Sequence, residues 1–174
     1  MILYPPIEFN ENEWFIIISL LLVLISALLL PKQFPPVIVV FMTIFNVFLG
    51  QTVDYILAVP PYDLYDVNDR SEYEIFDLIL YFLLYPPTVY IAINLYNKLK
   101  IKGLYVIAYI IICAALTTGL EWFSTMFHVF TYNNWNITYS LGVYIAVYGL
   151  NILMLHLVEN FIKHKQNAIK NNLN

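Results

Sequence analysis

Five apolar runs, each about as long as a lipid bilayer is thick, constrain this chain more than any other feature. The first, WFIIISLLLVLISALLL, covers 14–30 and stops at Pro31. Its seventeen residues rise about 25 Å as a helix, close to the ~30 Å of a hydrocarbon core. The others cover about 36–57, 75–95, 104–123 and 137–161. Only 11% of the 174 residues are charged, while 61% are hydrophobic; soluble domains carry about 25% charged residues. A core of this size cannot enclose so much apolar surface, so lipid is expected to be part of the solvent. The expected fold is all-α: one membrane domain over 1–174, an integral bundle of five transmembrane helices. The opening MILYPPIEFNENEW lacks the basic start of a secretory leader, so the first run is expected to stay as a helix.

Charge sets the expected orientation. Seven of the eight basic residues lie in the 31–36 linker, the 98–102 turn and the C-terminal tail. With five spans these three segments share one side. The positive-inside rule then places the N-terminus out and the C-terminus in. Glu8, Glu11, Glu13 and the 58–74 loop, with its Asp63, Asp66, Asp69, Glu72 and Glu74 against Arg70, fall on the other side. That loop lacks the EF-hand pattern and its glycine, and reads as a solvated acidic loop. A bacterial plasma membrane is the expected location. Frequent Ile, Asn, Lys and Tyr suit an AT-rich bacterial gene.

Polar residues inside the spans are the candidates for function, because lipid makes them costly. In the second span Thr43, Asn46, Gly50 and Asp54 recur at three- and four-residue steps, which places them on one face turned into the bundle. The third span opens with Asp77 and carries Pro86-Pro87 at its middle. The two prolines remove two N–H donors and free the carbonyls of Phe82 and Leu83, so a kink or break, and a hinge, are expected there. Glu121 is a lone carboxylate several Å inside the edge of the fourth span. His128 follows seven residues on, sharing a stripe with Glu121 if the helix continues. Asp54, Asp77, Glu121 and His128 all fall near one boundary, and their convergence would make a proton or ligand site. In the fifth span Gly142, Ala146 and Gly149 form a small-residue stripe suited to close helix packing.

Other chemistries find little support. The lone Cys113 excludes an internal disulfide and a thiolate cluster. There is no zinc motif, phosphate loop, nucleophile elbow or basic aromatic patch for nucleic acid. His156 has nothing beside it to suggest haem. No cofactor or metal is expected. Tyr132, Trp135 and Tyr139 read as an interfacial aromatic belt. Asn136-Ile137-Thr138 has the form of a glycosylation acceptor.

Glu121-Trp122, then Tyr132-x2-Trp135-Asn136, then Tyr139-Ser140 and an apolar helix closing in lysines, resembles an uncharacterised family of small multi-pass membrane proteins of spore-forming Bacillus and Clostridium relatives. The likeness covers mainly the last two spans, with the helix order extending over most of the chain. It implies origin and architecture and carries no activity. The positions that match are Glu121, Tyr132, Trp135 and Ser140.

The leading expectation is a small membrane subunit or binding module, not an enzyme, with lipid and a membrane-protein partner or second copy as its neighbours. The alternative is a small proton- or cation-coupled transporter using Glu121 with Asp54 or Asp77. An intramembrane enzyme ranks last, since no nucleophile or metal motif supports it.

Overall fold

The computed structural model describes residues 3–69 and 73–172; Arg70 and Glu72 of the acidic loop, and the last two residues of the NNLN tail, lie outside them. Among the described residues, five helices are long and apolar enough to cross a membrane. They are α1 (Glu11–Leu29), α2 (Pro36–Leu57), the composite third helix, α5 (Tyr105–Thr125) and α6 (Ile137–Asn172). The third consists of α3 (Ile75–Leu78), a π-helical segment (Ile79–Leu84) and α4 (Tyr85–Lys98). Packing joins α5 to α6, α2 to α4 and α6, and α1 to the π segment and α4.

The exterior is apolar and several buried contacts are polar, the inverse of a soluble fold. Leu28, Ile44, Phe48, Leu116 and Leu153 are exposed, whereas Asn46, Asn94 and Asn151 are buried. Asn46 and Asn151 exchange amide hydrogen bonds of 2.8 and 3.0 Å between α2 and α6. Asn94 donates to the Pro31 carbonyl at 2.9 Å and so ties α4 to the α1–α2 linker. The apolar core of Ile38, Met42, Val89, Ile93, Ile152 and Leu155 fills the bundle toward the end that carries the lysines.

Helix boundaries follow local chemistry. α1 starts three residues before Trp14, because Asn10 and Glu13 form a capping box. Asn136 accepts from the Thr138 N–H at 3.0 Å and from its hydroxyl at 2.8 Å at the start of α6; the glycosylation-like triplet thus caps a helix here. α6 continues well past Phe161 through the polar tail.

The proline pair does not end the third helix. Pro86 and Pro87 occupy the first turn of α4, where an N–H is not needed. The chain reaches that restart through the π segment, in which the Tyr85 N–H donates to the Leu80 carbonyl five residues back. Thr88 Oγ1 supplies a donor to the Leu84 carbonyl at 2.7 Å.

Three expectations need correction. Thr43 is exposed, so the α2 stripe turns inward only from Asn46 onward. Gly142 and Ala146 point outward, and a Cβ on Gly142 or Gly149 would meet nothing within 4 Å; that stripe packs no helix within the chain. The two loops at the acidic end are also not wholly irregular. Tyr65–Val67 (β1) and Phe130–Tyr132 (β2) form an antiparallel ribbon, with Tyr65 opposite Tyr132 and Val67 opposite Phe130.

Candidate functional site

The ribbon forms one end of a cavity of about 140 Å³ among α2, the third helix, α5 and α6. Asp54 and Glu121 both line it. Asn46, Thr117 and Tyr148 border its deep end, and Tyr65, Phe130 and Trp135 its acidic end. The Asn46–Asn151 pair and the apolar core lie beyond the deep end. Among the described residues lining the cavity there is no lysine, arginine or histidine.

Each carboxylate is held by hydroxyl groups. Asp54 Oδ1 accepts from Tyr65 at 2.5 Å, and Oδ2 from Tyr81 at 2.6 Å. The π segment delivers Tyr81; Tyr85, on the next turn, lies where a Cβ on Gly50 would meet its ring at 3.2 Å. That close approach explains the glycine, since a side chain would push Tyr85 aside. Glu121 Oε1 accepts from Tyr132 and, at 2.7 Å, from Ser140. Trp135 Nε1 in turn donates to Ser140 Oγ at 2.8 Å. Trp135, Ser140, Glu121 and Tyr132 thus make one hydrogen-bonded chain from the loop into α5 and α6. Burial, then Asp54 nearby, holds the Tyr65 phenol protonated well above its usual range. Burial, then the bond to Glu121, does the same for Tyr132. Both therefore remain donors at ordinary pH.

Asp77 stands next to this site without lining it. Its Oδ2 accepts from the Glu74 N–H at 2.7 Å, capping α3, and its Oδ1 accepts from Asn68 at 2.6 Å. It borders a second cavity of about 410 Å³ at the acidic end. Asp54 and Tyr65 line both cavities and form the partition between them.

His128 is not part of either. The helix ends at Thr125, and His128 has φ of 55°, so the stripe expected to join it to Glu121 is interrupted. It is exposed, with Nδ1 2.8 Å from Glu11 Oε1. Pro86 and Pro87 lie beside the site, flanked by its lining residues Tyr85 and Thr88.

Tyr132 reads from the sequence as part of an interfacial belt, and its bond to Glu121 is a finding of the structure, as is the role of Tyr65. Tyr65 and Tyr132 sit in alternating aromatic and β-branched stretches, YDV and FTY, which carry a strand signal. Tyr81, Tyr85 and Tyr144 are hidden in apolar runs; Tyr81 is revealed by its bond to Asp54, and Tyr85 and Tyr144 by their place on the cavity wall. Among the described residues no group of three or more His, Cys, Asp or Glu could hold a metal ion. Comparison with protein-family models, curated proteins and solved structures gives no match.

Proposed function

We propose that this chain is a small bacterial plasma-membrane binding module, N-terminus out and C-terminus in, whose ligand is a proton or cation taken up at Asp54 and Glu121. One observation carries this reading: two carboxylates border a single cavity with no described basic side chain on its wall. Acidic side chains at membrane depth are costly, and those found there commonly mark ion or proton sites. The second cavity, on the far side of Asp54 and Tyr65, offers an approach from the acidic end. The packed core at the other end makes access one-sided in this conformation. A transport cycle would need that core to open, and the π segment with Pro86-Pro87 is the natural hinge.

The test is a pH-jump measurement on the protein in liposomes. Wild type is expected to take up protons and, if it transports, to show pH-dependent cation flux. Glu121→Gln should abolish either signal while leaving the helical spectrum and thermal unfolding intact. Signals unchanged in Glu121→Gln would refute the reading.

The outward-facing Gly142 and Ala146 on α6 favour a second reading, a subunit of a larger membrane assembly. Native mass spectrometry from host lipid tests it. A reproducible added protein mass, lost on Gly142→Leu, is the expected result; a bare monomer contradicts it.

A further inference from the structure

We propose that the ligand of the Asp54–Glu121 cavity is a small organic ammonium ion rather than a metal ion. This rests on the reading of the cavity as a cation site and narrows it to a chemical class. Three features of the wall bear on the choice.

The first is size. The cavity measures about 140 Å³, and an engineered apolar cavity of about 150 Å³ takes up benzene. A cation of a few heavy atoms fits, while a fully hydrated metal ion would need space and polar partners on all sides.

The second is the supply of oxygen ligands. Hard metal ions ask for six or more oxygens around them. Asp54 already accepts a tyrosine hydroxyl on each oxygen, and Glu121 Oε1 accepts two hydroxyls. No described group of three metal-ligating side chains is present. Each carboxylate thus has two of its roughly four acceptor positions taken, and the roughly four that remain fall short of the six or more oxygens a hard metal ion asks for.

The third is the aromatic lining. Tyr65, Tyr85, Phe130, Trp135, Tyr144 and Tyr148 make up much of the wall. Aromatic rings attract weakly hydrated ammonium groups through their quadrupole, and such rings around a cavity recognise quaternary ammonium ions. They are poor substitutes for the hydration shell of a small metal ion. Charge from two acids, rings on several sides and a benzene-sized volume together describe an alkylammonium site.

The experiment is calorimetric titration of the full-length protein in lipid nanodiscs with tetramethylammonium, and separately with Na⁺ and K⁺. Saturable tetramethylammonium binding that excess Na⁺ or K⁺ fails to displace is the expected result. Tyr144→Phe keeps the ring, whose face carries the attraction for the cation, and is the reference for the next variant. Tyr144→Leu loses the ring and should bind about tenfold more weakly. Equal affinity in these two variants, or binding of Na⁺ or K⁺ alone, overturns the proposal. The wild-type comparison decides on its own should either variant fail to fold. A pH-jump signal that depends on Glu121, with no tetramethylammonium binding, sinks the organic-cation assignment and leaves the broader cation or proton reading standing. Loss of both signals sinks the two together.

Discussion

Replacing Asn46 with leucine should destabilise the bundle by about 1–3 kcal/mol, the cost of leaving a buried polar group without its partner. The structure shows where that cost arises. Asn46 and Asn151 are both buried and exchange two bonds between α2 and α6. Each also donates to a carbonyl four residues back on its own helix, Met42 and Val147. With Asn46 gone, Asn151 Nδ2 keeps Val147, but Oδ1 loses its donor. The same holds in reverse for Asn151→Leu. In the double variant neither amide remains to be orphaned, so the two losses should not add. Interhelical hydrogen bonds in membranes contribute about 0.6 kcal/mol each on average and about 1.7 at most. Two bonds therefore predict a coupling energy of about 1–3 kcal/mol, with the double variant more stable than the sum of the singles. Unfolding of the four proteins in micelles of rising SDS fraction measures it. Additivity to within about 0.3 kcal/mol would refute the idea that this pair joins the helices.

Four further outcomes follow from the same geometry. Ser140→Ala removes one donor from Glu121 and strands the Trp135 N–H, so tryptophan emission should shift and stability should fall by about 1–2 kcal/mol; an unchanged spectrum would argue against the Trp135–Ser140 bond. Tyr65 and Tyr132 hold their protons more tightly folded than unfolded, so their contribution is intact below about pH 10 and is lost as pH rises beyond it; melting curves from pH 8 to 11 should fall less steeply in the Tyr65→Phe/Tyr132→Phe double variant than in wild type. Replacing both Pro86 and Pro87 with alanine lets an ordinary α-helix run through, which should displace Tyr81 from Asp54 and weaken tetramethylammonium binding without unfolding the chain; unaltered binding would show that the π segment is not needed for the site. His128→Ala removes only an exposed pair with Glu11 and should alter stability by no more than about 0.5 kcal/mol by thermal melting; a larger loss would mean that His128 has a structural role beyond that pair.

The helical scaffold was legible because runs long and apolar enough to cross a membrane display their length and composition openly in the sequence. Long apolar runs in the chain became helices, and Asn46, Gly50 and Asp54 turned inward as their spacing required. The proline pair announced a disruption, but its form, a π turn before a restarted helix, depends on which carbonyls find donors and is not encoded in the two prolines themselves. Glu121 and Asp54 could be singled out as isolated acids. The bonds from their tyrosine partners could not be read, because Tyr81 and Tyr132 reach them across 27 and 11 residues of chain. The ribbon was concealed for a similar reason: three-residue strands find each other only after α2 and α5 have brought their ends together. His128 would share the Glu121 stripe only in a continuous helix, and a residue in the left-handed region stands there instead.

Both proposals require Asp54 and Glu121 to act as one site. Asp54 and Glu121 line one cavity with no described basic side chain on its wall, so the charge of one should be felt by the other. Infrared titration of the carboxyl bands in lipid, comparing wild type with Asp54→Asn and Glu121→Gln, measures this directly. Each substitution is expected to remove one band and to move the titration midpoint of the band that remains. A remaining band that titrates as it does in wild type would mean two separate acids and would contradict the shared site.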